Sequence, residues 1–433
     1  MTEIAVGRPL NRRDYRTLTL SALGGALEFY DFIIYVFFVG VVGQLFFPPE
    51  MPDWLRSVQA FAIFAAGYLA RPLGGIVIAH FGDRFGRKRM FTLSILLMAL
   101  STLAIGVMPT FASIGIWAPI GLLAMRVLQG AAIGGEVPGA WVFVAEHAPR
   151  HRVGFAAGLL TCGLTAGIMI GSLVASAIND WLTPAEVASY GWRLAFVLGG
   201  VFGLVSVYLR RWLEETPVFQ EMQARKALAA ELPLKTVLRD HVGGVAISML
   251  LTWVLSAGVV VIILMTPALL EKAYGIAPRD ALAANAVATL LLTLGCVASG
   301  ALADRFGAGK VLIVGCLAMA VTAFVLYFHI GDAPHLLVPL YGIAGLSVGV
   351  IGAIPFVMIQ AFPPAVRFSG ISFSYNVAYA VFGGLTPLVV SVWMRGEPLA
   401  PAYYVVLAGL LGVAIGIYLV ASPARTRNSR VHA

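Results

Sequence analysis

The chain has 433 residues, of which 60% are hydrophobic, 12% charged and 47 glycine, with a formal net charge of +8 and a mean hydropathy of +0.89. A soluble globular domain carries about a quarter charged residues, so that class is excluded. At about 20 apolar residues per crossing, the length accommodates about twelve membrane spans with short loops. The positive charge does not indicate nucleic-acid binding, because the basic residues lie in loops between apolar runs and do not cluster on one soluble face.

The N-terminus is polar through Arg16 and runs into an apolar segment without the short apolar core and small-residue cleavage site of a signal peptide. It is expected to be retained as the first anchor. Apolar windows bounded by Pro, Gly and charge predict twelve helices, at 17–40, 57–80, 89–109, 117–146, 153–178, 192–212, 241–268, 281–303, 309–329, 336–360, 367–392 and 402–421. Stretches such as Val242–Ala268 and Val311–Phe328 are apolar on every face, which argues against the alternating strands of a β-barrel. Cys162, Cys296 and Cys316 all fall inside apolar segments without metal-ligand spacing and read as small core residues. No metal and no cofactor is expected.

Lys and Arg test the division into spans, because cytoplasmic loops are enriched in them. With the N-terminus inside, 22 of the 29 fall in the inside segments, five outside, and Arg71 and Arg126 within spans. This predicts an even number of spans with both termini cytoplasmic. The two halves also repeat: Ala79–Arg89 reads AHFGDRFGRKR and Gly300–Lys310 reads GALADRFGAGK, each after the second span of a six-span half. A weaker echo pairs residues 148–152 with 363–367. The expected organisation is an all-α membrane protein of two pseudo-symmetric six-helix halves, 1–212 and 241–433, joined by a polar cytoplasmic linker, 213–240. Such repeats mark alternating-access transporters with the site between the halves.

On these residues the chain resembles the major facilitator superfamily. LEFYDF (Leu27–Phe32), ARPLGG (Ala70–Gly75), RVLQGAAIGGE (Arg126–Glu136), EETPVF (Glu214–Phe219) and VRFSGISFSYNVAYAVFGGLTP (Val366–Pro387) narrow the resemblance to its metabolite:proton symporters. That group includes carriers of citrate, 2-oxoglutarate, shikimate and proline or betaine. The pattern departs at Ala79, where the loop motif usually begins with Gly, and in the shortened basic end of the second copy, Ala308-Gly309-Lys310.

Five charged residues lie well inside the spans: Glu28, Asp31, Arg71, Arg126 and Glu136, all in the first half. An ion near the bilayer centre costs several kcal/mol, so each needs a partner or a cavity. At 1.5 Å per residue, Asp31 and Arg126 come to similar depth on antiparallel helices and are expected to pair. An anionic substrate drawing Arg126 or Arg71 away would leave Asp31 to take up a proton, coupling the two. Glu28, one turn from Asp31, either shares that proton or bonds a neighbouring span. Arg71, near the midplane, is expected to be a cation that meets the substrate. Glu136, after Gly134-Gly135, reads as structural or gating.

The loop motifs supply further gating candidates. Asp83 can cap a facing helix, which the resemblance makes the eleventh, and Arg84 and Arg87 can pair with acids such as Glu146. Asp304 and Arg305 repeat that arrangement. The substrate wall is expected from Tyr30 and Tyr35 in the first half and from Trp253, Gln360, Tyr375, Asn376 and Tyr379 in the second. The leading expectation is proton-coupled uptake of a small organic anion, a mono-, di- or tricarboxylate, across a bacterial inner (plasma) membrane. The alternatives are a zwitterion carrier for betaine or proline, a proton-driven exporter, or a nutrient sensor that transports nothing. An enzyme is not expected, because His80, His147, His151 and His241 all fall at loop boundaries. The expected partners are the small-molecule substrate, protons and lipid, with no nucleic acid and no obligate protein partner.

Overall fold

In the computed structural model, the described residues are 10–85, 87–210, 233–331 and 333–422. Twelve long helices, labelled α1 to α12, account for most of them. The first six are α1 (Arg12–Phe37), α2 (Asp53–Phe85), α3 (Arg87–Val107), α4 (Trp117–His147), α5 (Val153–Trp181) and α6 (Trp192–Arg210). A short helix, Pro233–Asp240, precedes the second six. Of these, α8 (Pro278–Phe306), α9 (Ala308–His329) and α12 (Ala400–Ala421) are continuous. The other three change pitch midway: α7 through a π-helical Ala257–Met265 between Val242–Ser256 and Thr266–Tyr274, α10 through a 3₁₀ Gly349–Ala353 between Leu337–Val348 and Ile354–Gln360, and α11 through a π-helical Tyr379–Gly383 between Arg367–Ala378 and Gly384–Trp393. Eleven are long and apolar enough to cross a membrane, and α3 contributes a shorter apolar stretch, Thr92–Val107.

Local chemistry sets the helix ends. Asn11 and Asp14 form a reciprocal capping box at the start of α1, so the helix begins at Arg12, before the predicted 17. At the end of α3, Arg193 of α6 donates to the carbonyls of Gly106 and Met108 at 2.9 and 2.8 Å, placing a cation against the helix C-terminus. The turn between α8 and α9 hinges on Gly307, at φ +88. A side chain rarely adopts that conformation, which explains the glycine in the second copy of the repeated motif.

Glycines set the packing. A Cβ on Gly163 or Gly167 of α5 would fall on the carbonyls of Ala22 or Ala26 of α1, and one on Gly130 of α4 on the carbonyl of Gly67 of α2. In the second half Gly345 and Gly352 of α10 meet Ala288 and Cys296 of α8 in the same way, and Gly409 and Gly416 of α12 meet α9. Small residues are what allow membrane helices to approach this closely. The second and fourth helices of each half therefore pair alike, as the internal repeat predicts. Large apolar side chains such as Leu73, Val77, Val314 and Val321 remain exposed on the periphery, where lipid would cover them.

Two seams join the halves. Along α5 and α8, a Cβ on Gly158 would meet the Cys296 carbonyl, and the Thr165 and Thr293 hydroxyls bond at 3.0 Å. Along the other, α11 lies against α2 and α4 at Gly75, Gly82, Gly134 and Gly139. The end of the bundle that carries the repeated loops and the short helix 233–240 is its basic face.

Candidate functional site

The two buried arginines each sit in an aromatic cage. Arg71 of α2 is 1% exposed, and its guanidinium carbon lies 5.6, 5.2 and 4.5 Å from the ring centroids of Tyr68, Tyr375 and Tyr379. Tyr68 is on α2 and the other two are on α11, so the cage closes only where the halves meet. Arg71 Nε donates to Asn376 Oδ1 at 3.3 Å, and Asn376 Nδ2 donates in turn to the Gly134 carbonyl of α4 at 2.5 Å. Its Nη2 is buried without a hydrogen-bond partner. Three of the residues expected to form the substrate wall, Tyr375, Asn376 and Tyr379, thus converge on Arg71.

Arg126 of α4 is fully buried and packs against Phe32, Tyr35 and Phe64 at 4.6, 4.5 and 5.1 Å. Its Nη1 donates to Gln129 Oε1 at 2.8 Å and to the Phe32 carbonyl at 3.3 Å, while Nε and Nη2 have no partner. Tyr68 connects the cages, its ring centroid 5.1 Å from that of Phe32, 5.0 Å from Phe64 and 5.4 Å from Tyr379. Facing π systems attract cations electrostatically, which gives each guanidinium a place to rest without a carboxylate.

The expected pair of Asp31 with Arg126 is not made. Asp31 is fully buried and neither of its carboxyl oxygens has a hydrogen-bond partner. The side chain turns to α6, where a Cβ on Gly199 would lie 2.7 Å from one carboxyl oxygen and a Cβ on Gly203 2.9 Å from the other. Depth along the two helices allows the pair, but the rotation of α1 points the carboxyl towards α3 and α6 and gives Arg126 the Phe32 carbonyl and the rings of Phe32 and Tyr35 instead. Glu28 follows Asp31 towards α6 and accepts from Ser206 at 2.6 Å, a bond to a neighbouring span.

Other expected site residues lie elsewhere. The Tyr30 hydroxyl donates to the Ala195 carbonyl on α6 at 2.9 Å, which takes it away from both arginines. Tyr35 belongs to the Arg126 cage, its hydroxyl bonded to the Ala60 carbonyl at 3.0 Å. Trp253 is occupied within the second half, stacked on Phe382 at 4.5 Å with its indole N–H donating to the Tyr404 hydroxyl at 2.9 Å. Gln360, expected near mid-span, is the last residue of α10, because the chain turns at Pro363-Pro364. Glu136 is buried within α4, 2% exposed.

Contacts between the halves cluster at the basic face. The Asp304 carboxylate accepts from the backbone N–H groups of Gly154 and Phe155 at 2.7 Å each, capping the N-terminus of α5. Glu146 pairs with Arg367 of α11 at 3.3 Å, with side chains 1% and 17% exposed. The Phe368 ring lies where a Cβ on Gly82 or Gly139 would sit. Arg305 lies over the Phe306 ring at 5.2 Å. The side chains of Asp83, Arg84 and Arg87, and residues 213–232 of the linker, lie outside the described residues.

Sequence reasoning did not single out Phe32, Phe64, Tyr68, Gln129, Trp141, Arg367 or Phe368. Spacing held a signal for some of them: Phe64, Tyr68 and Arg71 follow at intervals of four and three, and Gln129 stands three after Arg126, which places each set on one helix face. Trp141 meets the Tyr375 ring edge-on at 5.0 Å, a contact between α4 and α11 that no local pattern encodes.

Comparison with known proteins agrees with this architecture. The Major Facilitator Superfamily profile matches residues 21–387. The proline/betaine transporter of Salmonella typhimurium is 32% identical over 421 residues, covering 93% of this chain and 82% of its own. The glycine betaine/proline/ectoine/pipecolic acid transporter OusA of Dickeya dadantii is 30% identical over 419 residues, covering 93% and 83%. Among solved structures, the proton:xylose symporter XylE bound to 6-bromo-6-deoxy-D-glucose superposes with a TM-score of 0.78 at 17% identity, covering 94% of this chain and 95% of that one. The inward-open conformation of XylE from E. coli superposes with a TM-score of 0.65 at 18% identity, covering 94% and 96%. With its profile match, its relatives at 30% identity or more and its twelve-helix fold in agreement, the chain belongs to the Major Facilitator Superfamily and is a multi-pass membrane transporter, not an enzyme.

Proposed function

We propose that the chain carries a small zwitterion with a free carboxylate, of the proline or betaine kind, inward together with protons by alternating access. The observation that carries this reading is the cage of three tyrosines around Arg71 at the junction of the halves. A substrate carboxylate binds the open Nη2 donor and draws the guanidinium off the rings. The vacated π faces then accept the substrate's ammonium, the ligand chemistry that aromatic cages suit best. A di- or tricarboxylate would instead turn a second negative charge towards the negative ring faces. The naming of two relatives for proline and betaine supports the same choice over the organic anion expected from the arginines alone.

A second reading has its own observation. Arg126 also keeps two donors without partners, one ring away from Arg71, so two guanidiniums could grip a dicarboxylate. In either case the proton rides on Asp31, the fully buried intramembrane carboxyl whose oxygens have no hydrogen-bond partner. Asp304, the Glu146–Arg367 pair and Phe368 act as the gate at the basic face, which faces the cytoplasm with both termini.

The test is uptake into proteoliposomes under an imposed inward proton gradient, with labelled betaine, proline, succinate and citrate in parallel. Betaine or proline is expected to accumulate and to be lost with a protonophore, and an Asp31→Asn variant is expected to lose that accumulation. Accumulation of succinate or citrate alone would overturn the zwitterion reading. Full accumulation by Asp31→Asn would overturn the proton assignment.

A further inference from the structure

Gln129 does more than fill the interior of α4. It is fully buried, and both ends of its amide are engaged: Oε1 accepts from Arg126 Nη1 at 2.8 Å and Nε2 donates to Thr102 Oγ1 at 2.7 Å. The Thr102 hydroxyl donates its own proton to the Met98 carbonyl at 3.0 Å, so towards Gln129 it can only accept. This fixes the amide with its oxygen on the guanidinium. Thr102 is also part of the wall around Asp31, since a Cβ on Gly199 would meet the Thr102 methyl at 3.1 Å and the Asp31 carboxyl at 2.7 Å. The amide therefore spans from the cation in the aromatic cage to the slot that holds the carboxyl.

We infer that Gln129, oriented by Thr102, is a positioning residue that latches Arg126 in its aromatic cage and away from Asp31, so that Asp31 keeps its proton while the substrate is carried. The inference rests on the proton-coupling reading above. Without the latch, Nη1 keeps only the longer bond to the Phe32 carbonyl, and a buried guanidinium with three poorly satisfied nitrogens is no longer held from pairing with the Asp31 carboxyl. An Asp31 tied up in an ion pair with Arg126 carries nothing. The groups that face Asp31 allow this control to lie with Arg126. Its own helix brings Glu28 and Tyr30, while Arg126 of α4 is turned into its ring cage. By contrast, α3 brings Ala99 and Thr102, and α6 brings Gly199, Gly203 and the Ser206 bonded to Glu28, while α5 meets α1 through Gly163 and Gly167.

Gln129→Met keeps the volume and removes both hydrogen bonds, whereas Gln129→Glu keeps an acceptor for Arg126. Thr102→Val removes only the group that orients the amide and serves as the second variant should Gln129→Met fail to fold. Each is compared with the parent protein and with Asp31→Asn in proteoliposomes, by betaine exchange without a gradient and by proton-driven betaine accumulation over a range of external pH. Gln129→Met and Thr102→Val are expected to exchange within about twofold of the parent. Their accumulation should fall about tenfold near neutral pH and recover about one pH unit lower, the shift that corresponds to a tenfold change in protonation equilibrium. Gln129→Glu should restore the parent profile. If Gln129→Met and Thr102→Val accumulate betaine with the parent pH profile while Asp31→Asn fails to accumulate, the latch is overturned and the coupling reading stands. If Asp31→Asn accumulates like the parent, both are overturned.

Discussion

Replacing Asp304 by alanine removes the carboxylate that ties the second half to the N-terminus of α5 at the basic face. Two backbone N–H groups, Gly154 and Phe155, lose their acceptor, each now at 2.7 Å. Hydrogen bonds to a charged group contribute about 1.5–3 kcal/mol each when buried, and loss of a helix cap to alanine costs about 0.5–2 kcal/mol. Asp304 is only half-buried, so water recovers part of the loss and a net cost of about 1–3 kcal/mol is reasonable. On the proposed gating role the contact exists only while the halves are closed at this face, so the whole cost falls on that state and is expected to shift the population open at the basic face about 5- to 150-fold. Cys296 reports the shift, because it is fully buried on α8 within the same seam, where Gly158 of α5 packs on its carbonyl. In a Cys162→Ser, Cys316→Ser background it is the remaining thiol of three. Its alkylation by a water-soluble maleimide, measured on detergent-solubilised protein, is expected to accelerate by that factor in Asp304→Ala. An unchanged rate would refute the assignment of Asp304 to closure of this face.

Two further outcomes follow from the packing. Tyr379→Leu removes the ring nearest Arg71 and is expected to weaken betaine binding about 2- to 30-fold, the equivalent of one cation–π contact of about 0.5–2 kcal/mol, while Tyr379→Phe stays near the parent. Equal affinity in the leucine variant, by competition against labelled betaine, would remove the ring from the site. Gly130→Ala sets a methyl on the Gly67 carbonyl between α2 and α4 and is expected to destabilise the first half by about 1–3 kcal/mol. Thermal unfolding in detergent would read this as a lower midpoint, and an unchanged midpoint would show that the two helices can part without cost.

What the amino-acid sequence determined by itself was whatever depends on composition and spacing along one chain. Apolar runs punctuated by Gly, Pro and charge located the twelve helices, and the recurrence of Asp83-Arg84-Phe85-Gly86 as Asp304-Arg305-Phe306-Gly307 revealed the repeat. The five intramembrane charges and the Tyr375–Tyr379 face were also visible, since each is a one-dimensional pattern. Which way each side chain points was decided only by the tertiary structure. A soluble amphipathic helix announces its buried face through a polar stripe, but these helices are apolar all round. Their rotation is set instead where glycines such as Gly163, Gly130 and Gly345 let one backbone approach another. That rotation turns Asp31 to α6 and leaves Arg126 to Gln129 and three rings, although their depths alone suit an ion pair. It also brings Tyr68, 307 residues from Tyr375 in sequence, into one cage around Arg71. The distance between two residues along a membrane helix can be read from their numbers, whereas the angle between them and a residue on another helix depends on how the backbones seat together.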